Sequence, residues 1–462
     1  MKYIIKESTI NVTIPITSNE YLNKFILDNS FMRNDIRNDF VEEANKYKGE
    51  WNKYKDFKPL HYKTYYYNNI EEPLRRYNYY CVGLSEQVAK DFKSAIKAIR
   101  TTNNKKIDNA IKNNIPLSTI KLSEFHYKKF DYNRYSFKVK LKPSISNKNK
   151  VCTRLNIIDS THIEFKVRSN KYNRPKEIIP ITLKEPIYDS ILDNNTYTKE
   201  YTSNGYTNEC TFRLEDIKEI SFIYKCGCYY IQLSINVLYC INKNSIPKKY
   251  NICGIDTGIH HPIAIYDGNK VIYSKMDDKV SRKIHYLERR IRRLQKVYNN
   301  KYTYNEEHDI STDSNNIIKI IRKIRRLYRK ISNIKKYHIQ CICKVICTRY
   351  SSICVDSFTQ PNHISDKEFK DLPNIVKRKI NYTNRFHKMY YFNEYLKHTC
   401  IKYGCRYVEA PDNTTRTCSI CGYINKHIPL SQRDLICSNC NNVIERDMNA
   451  AKNCYDYLVS NM

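Results

Sequence analysis

Four cysteines near the end of the chain carry the spacing of metal ligands: Cys418-x2-Cys421, fifteen residues, then Cys437-x2-Cys440. Two turns of this kind each offer a pair of sulfurs to one tetrahedral ion, and zinc is the ion that takes four thiolates. A site so closed shapes the chain and does no chemistry itself. Gly422 follows the second ligand, where a knuckle turn calls for positive φ, and Asn439 and Asn441 tolerate the same geometry around the last one. Directly beyond comes Glu445-Arg446-Asp447-Met448-Asn449-Ala450-Ala451, which places an acid at a helix start.

Two more acids end apolar strands. Ile252-Cys253-Gly254-Ile255-Asp256-Thr257-Gly258 is followed by a second strand from Pro262 to Tyr266 and by Gly268-Asn269, the pattern of a hairpin. Ser352-Ile353-Cys354-Val355-Asp356-Ser357 repeats the strand-then-acid arrangement. An Asp-x-Gly turn also caps ordinary hairpins, so the company of Asp356 and Asp447 is what gives Asp256 a chemical role. Three carboxylates converging on divalent cations suit phosphodiester hydrolysis, in which two ions about 4 Å apart activate water and stabilise the leaving oxygen. Mg²⁺ prefers hard oxygen ligands of this kind.

Between these acids lie elements that must position them. Ile284, Leu287, Ile291, Leu294 and Val297 form one apolar stripe, with Arg282, Lys283, Arg289, Arg290, Arg292, Arg293 and Lys296 on the other faces. A second helix repeats the design with Ile320, Ile324, Leu327, Ile331 and Ile334, flanked by Lys319, Arg322, Lys323, Arg325, Arg326, Arg329 and Lys330. Solvated faces usually mix charge signs, whereas acids are almost absent here, so the pair reads as a basic helical hairpin over 279–349 that contacts phosphate. Cys341, Cys343 and Cys347 lie in an apolar helical stretch and read as core.

Upstream, residues 1–16 alternate as a strand and 17–120 read as mostly helical, including a helix from Leu84 to Arg100 with Val88, Phe92, Ala95 and Ile96 on one face. Residues 121–245 return to short strands, Tyr135–Leu141, Thr161–Val167, Ile178–Leu183, Ile217–Phe222 and Tyr229–Tyr239, with a turn at Cys226-Gly227. A small antiparallel β-barrel fits that pattern. The Tyr-rich run His61-Tyr62-Lys63-Thr64-Tyr65-Tyr66-Tyr67 mixes aromatic and basic residues as nucleic-acid stacking platforms do.

Composition narrows the class. Over 462 residues, 80 Lys and Arg stand against 47 Asp and Glu, a net charge of +33 that calls for a polyanionic partner, and nucleic acid is that partner's first identity. No apolar run reaches the roughly 20 residues of a spanning helix, and Met1-Lys-Tyr-Ile-Ile-Lys lacks a signal peptide's apolar region, so an intracellular protein without a membrane partner is expected. The other cysteines, such as Cys226, Cys228 and Cys354, fall among strand residues with no framework spacing, as reduced buried thiols do.

Gly254-Ile255-Asp256-x-Gly258, then Thr415-Arg416-Thr417-Cys418-Ser419-x-Cys421-Gly422, then Glu445-Arg446-Asp447-x-Asn449-Ala450-Ala451 resemble the motifs of TnpB, the accessory protein of bacterial insertion sequences also found in giant viruses. The resemblance covers about residues 250–462; upstream it is weaker, Leu84-Ser-Glu-Gln-Val-Ala-Lys-Asp-Phe resembling recognition helices. It implies an α/β and α+β multidomain chain. The expected parts are a wedge-like β-barrel over 1–16 and 121–245, a helical recognition insertion over 17–120, a RuvC-like core of ribonuclease-H fold over 246–410 and 443–462, and a zinc-binding target-nucleic-acid-binding insertion over 411–442. It further implies RNA-guided cleavage of DNA, with guide RNA from the flanking locus of a transposable element, structural zinc on Cys418, Cys421, Cys437 and Cys440, and Mg²⁺ at Asp256, Asp356 and Asp447. In bacteria such a protein belongs to cytoplasm and nucleoid, in a virus to the host cell.

One position departs from the family. Its second acid is usually glutamate followed by aspartate and leucine, whereas Asp356-Ser357-Phe358 stands here with a side chain one methylene shorter. Glu409, in Tyr407-Val408-Glu409-Ala410, is a further acid that would substitute for Asp356, set against its plain reading as a strand-end glutamate. Two other functional readings use the same residues: a guided DNA-binding repressor that does not cleave, and a transposase accessory acting directly in DNA recombination.

Overall fold

A five-stranded mixed sheet carries two of the three acids in the computed structural model, which describes residues 2–45 and 84–462 apart from single residues and short stretches, the longest being 357–373 and 378–388. In spatial order the strands are Val271–Ser274, Ile263–Tyr266, Ile252–Asp256, Ser352–Val355 and Arg406–Glu409. The first three form an antiparallel meander, and the last two run parallel to Ile252–Asp256. Parallel neighbours need crossovers, and helices supply them: Asp278–Glu307 and Asn315–Arg349 before the fourth strand of the chain order, Met389–Tyr403 before the fifth.

Both faces of this sheet are covered, which is why its strands read as near-continuous apolar runs instead of alternating ones. On one face Cys253, Ile255, Ile353 and Val355 pack with Ile339, Cys343, Ile346 and Cys347 of the long helix and with Phe392, Leu396 and Cys400 of the next. On the other, Ile252 and Cys354 pack with Cys454 and Leu458 of the C-terminal helix Arg446–Ser460. Cys343 and Cys347 are thus core residues as expected, while Cys341 is exposed.

The two long helices pack along their apolar stripes, with Ile284, Leu287, Ile291, Ile324 and Ile331 buried and Leu294, Ile320, Leu327 and Ile334 half-buried against them. Val297 departs from the expected stripe and is exposed, at 44%. All seven basic residues singled out on the first helix are exposed; on the second, Arg322, Arg325 and Arg329 are half-buried.

The chain divides into two compact units, one comprising 1–8, 200–211 and 238–462, the other 9–199 and 212–237. The second unit holds helices Glu20–Asn45 and Leu84–Lys112 and a core of Phe25, Phe137, Phe165 and Phe222, in which Phe137 and Phe222 stack with centroids 4.9 Å apart. Val88, Phe92 and Ile96 bury the expected helix face, with Ala95 half-buried. The expected closed barrel is corrected. Among the described residues the strands of this region form an open seven-stranded sheet, a separate three-stranded one and a two-stranded pair, Ser144–Ile145 with Val151–Cys152, and a single bridge, Ile16 to Leu183, reaches between the first two. The hairpin at Cys226-Gly227 has φ of 57° and 80°, the paired positive values that suit a two-residue turn between twisted strands. His61 to Tyr67 lie outside the described residues.

No helix among the described residues is long and apolar enough to cross a membrane.

Candidate metal-dependent nuclease centre

Side-chain alternation along the sheet decides which acids meet. Ile252 and Gly254 face the C-terminal helix, so Asp256, two positions on, faces it too, while Cys253 and Ile255 face the opposite core. The same period applied to Cys354 and Val355 turns Asp356 to the C-terminal helix. Ile255 pairs with Val355 in parallel register, and the Asp356 N–H donates to the Ile255 carbonyl at 2.9 Å, which brings the two acids side by side. Glu409 falls with Tyr407 on the opposite face: it is exposed and bonded to Lys397 at 3.3 Å.

Asp447 comes to this edge because the helix that carries it lies directly on the strand. A Cβ at Gly254 would stand 2.1 Å from the Ala451 carbonyl oxygen and 2.3 Å from the Tyr455 nitrogen, so only glycine permits the contact. Ala450 and Ala451 are fully buried beside it. Glu445 caps the helix, accepting from the Met448 N–H at 2.9 Å. Gly258 serves by its size: a Cβ there would meet Asp447 Oδ1 at 3.2 Å.

Crowding of negative charge marks the three acids as a unit. Burial, then the charges of Asp356 and Asp447, push the Asp256 carboxyl well above the ordinary carboxylate range. Burial and then Glu445 raise Asp447, against a lowering by the His261 N–H, which donates to Oδ2 at 3.2 Å. Asp356 is half-buried and accepts from the Thr414 hydroxyl at 2.6 Å. The charges of Asp356 and Asp447 thus act on Asp256, but among the described residues these three carboxylates do not form a group whose donor atoms all lie within 4.8 Å of one another.

The four cysteines converge. Their sulfurs lie within 4.8 Å of one another, with Cys418 to Cys440 at 3.7 Å and Cys421 to Cys437 at 3.5 Å. Each pair sits on a similar turn: the Gly422 N–H donates to the Cys418 carbonyl and the Asn441 N–H to the Cys437 carbonyl, both at 2.9 Å. Gly422 and Asn441 have φ of 73° and 56° as the spacing predicted; Asn439 is not left-handed. Backbone N–H groups of Cys440 and Asn439 pull the Cys437 thiol down to about 6, which favours the thiolate that zinc binds. The donor set fits a tetrahedral four-sulfur ion.

The two centres are physically joined through residues that spacing alone did not single out. Fully buried Asn449 accepts from the Ser419 N–H at 2.8 Å and donates to the Thr417 carbonyl at 2.7 Å, tying the helix to the entry of the cysteine insertion. Asn453 donates to the Thr414 and Thr417 carbonyls, both at 2.7 Å, and Thr414 is the residue that holds Asp356. Asn449 was visible in the motif without a role. Nothing local in the sequence marks Thr414, because its partner is 58 residues away.

The class these features define is an acid-edged α/β core with a four-cysteine insertion immediately before its last helix. Residues 390–454 match the family described as Cas12f1-like, TNB domain. The chain is 28% identical over 213 residues to a TnpB-like protein of Acanthamoeba polyphaga mimivirus, a match covering 46% of this chain and 38% of the relative. A putative transposase of the same virus is 27% identical over 212 residues, covering 45% and 40%. Among solved structures, Cas12f1 with its single-guide RNA and target DNA is similar at 14% identity and a TM-score of 0.40, covering 98% of this chain and 99% of that one. The chain is thus similar to TnpB-like proteins over less than half of its length, and the matched stretch spans well under half the length of the curated relatives.

Proposed function

We propose that the chain is an RNA-guided DNA endonuclease of a transposable element, cleaving phosphodiester bonds at a RuvC-like centre of Asp256, Asp356 and Asp447. The observation that carries this reading is the register: two strand-end acids and one helix acid share one edge of a covered mixed sheet, on the side of the helix that also anchors the four-cysteine insertion. Divalent cations, when bound there, would activate the attacking water and stabilise the leaving oxygen. The chain's own part is placement. Gly254 lets the Asp447 helix close on the strand, the His261 N–H orients Asp447, and the Thr414 hydroxyl holds Asp356, whose shorter side chain must reach from an adjacent strand end. Zinc on Cys418, Cys421, Cys437 and Cys440 would keep the insertion, and through Asn449 the acid helix, in one arrangement.

Guide and target are read from charge and from the resemblance of the motifs to TnpB. The basic helix pair, whose second member Asn315–Arg349 contains no acid, offers phosphate contacts without base readout. Base pairing of a guide RNA transcribed from the flanking locus would then supply sequence specificity.

The test is cleavage of a plasmid library with a matched target and randomised neighbours, by the protein purified with that RNA, in Mg²⁺, beside Asp256→Ala. Linear product that disappears in Asp256→Ala supports the nuclease. Guided binding with intact plasmid supports a non-cleaving DNA-binding protein, and joined strands at the element's ends a transposase accessory.

A further inference from the structure

We propose that His261, Glu445 and Asp447 form a cation site of their own, taking a first-row divalent ion such as Mn²⁺ through one imidazole nitrogen and two carboxylate oxygens. Among the described residues, two groups of potential metal ligands have donor atoms all within 4.8 Å of one another: the four cysteines and this trio. Ligands about 2.1 Å from one ion lie about 3 to 4.2 Å apart, so small side-chain rotations bring the trio into range. His261 Nε2 and Glu445 Oε1 are 4.0 Å apart, too far for a hydrogen bond and within reach of a shared ion.

Contacts with neighbouring groups hold each donor in place. The His261 ring packs on the Tyr273 ring with centroids 4.1 Å apart. The Tyr273 hydroxyl donates to Glu445 Oε2 at 2.6 Å and the Met448 N–H to the same oxygen at 2.9 Å, so Oε1 is the atom turned to the imidazole. The His261 N–H donates to Asp447 Oδ2 at 3.2 Å. His261 and Glu445 are 31% and 30% exposed, which gives an ion a path, while Asp447 is buried. Arg433 is a neighbouring cation that acts on Asp447, and a bound divalent ion would have to outcompete it.

The imidazole decides the class of ion. Mg²⁺ favours oxygen ligands and keeps several waters, whereas a nitrogen with two carboxylates suits Mn²⁺ and its first-row neighbours. The site shares Asp447 with the proposed nuclease centre but takes its other two donors, His261 and Glu445, from outside it, and it stands whether or not that centre cleaves.

Mn²⁺ alone is titrated into the zinc-loaded full chain in excess Mg²⁺, with free ion read by electron paramagnetic resonance and bound ion by electron-spin-echo modulation. The wild-type chain, His261→Ala and Asp256→Asn are compared. The expected result is bound Mn²⁺ with nitrogen hyperfine coupling in wild type and in Asp256→Asn, and in His261→Ala no such coupling with affinity weakened at least about tenfold. Bound Mn²⁺ without nitrogen coupling in the wild-type chain overturns the site, and that readout needs no variant to fold. Unchanged titration in His261→Ala overturns it as well, as does loss of the nitrogen-coupled ion in Asp256→Asn, which would assign the ion to the acid centre. Failure of cleavage with the nitrogen-coupled ion retained counts against the nuclease alone.

Discussion

The cysteine insertion and the acid edge lie within one unit, yet they are built on opposite principles. The cysteines come from two short turns, and backbone N–H groups pull the Cys437 thiol down while burial pushes Cys418 up to about 11. The acids come from two strands and a helix separated by long stretches of chain, and burial beside like charge works against their ionisation. The first is a local device that can form wherever its turns form. The second exists only when the sheet, its crossovers and the last helix are all in place.

Removing one thiolate should break the comparison most severely. Cys437→Ser is expected to abolish zinc binding, for which structural sites in small peptides supply about 10–16 kcal/mol, and to unfold residues 411–442 while the five-stranded sheet persists. Elemental analysis and hydrogen exchange would check this; retained zinc with unchanged protection of the insertion would refute it.

Gly254→Ala attacks the other cluster without touching an acid. Its Cβ would collide with the Ala451 carbonyl and the Tyr455 nitrogen, backbone atoms that cannot swing away, so we expect a loss of about 3 kcal/mol or more and displacement of Asp447. Denaturant unfolding reads the stability. Guided cleavage, if the proposed activity holds, should fall with it.

Charge crowding makes a prediction of opposite sign. A carboxyl raised in the folded state binds protons more readily there than in the unfolded chain, so it favours folding at low pH and this benefit is lost as pH rises from its ordinary value near 3.8 through the raised one. With no divalent ion added, Asp256→Asn should therefore stabilise the core at neutral pH by about 1 kcal/mol, a rise of about 2–4 °C in Tm, with the difference shrinking toward pH 4. A Tm below wild type at neutral pH would contradict the electrostatic account.

The smallest effect belongs to Glu409. Its exposed bond to Lys397 contributes at most about 0.5 kcal/mol, so Glu409→Gln should leave Tm and cleavage unchanged where Asp356→Asn abolishes cleavage. Loss of cleavage in Glu409→Gln would reassign the second acid.

Much of the fold was legible in periodicity. The basic helix pair, the strand ending at Asp256, the turn at Cys226-Gly227 and the helix starting behind Glu445 all follow from spacing, because each depends on neighbours within a few residues. Barrel closure was not legible: which strand edges meet depends on pairings between distant segments, and the strands here stay in separate sheets. Val297 kept the helical period but is exposed, and the neighbouring Tyr298 packs against the paired helices in its place.

The sequence by itself determined the chemistry available, four thiolates on two turns and acids at the ends of apolar strands, since residue type and local spacing are written in it. Only the tertiary structure decided which acids share an edge. Strand register turned Asp356 toward Asp256 and Glu409 away from both, the missing side chain at Gly254 let Asp447 approach, and packing placed His261 and Thr414 beside acids far from them in the chain. Those are contacts across long sequence separations, and no local pattern encodes them.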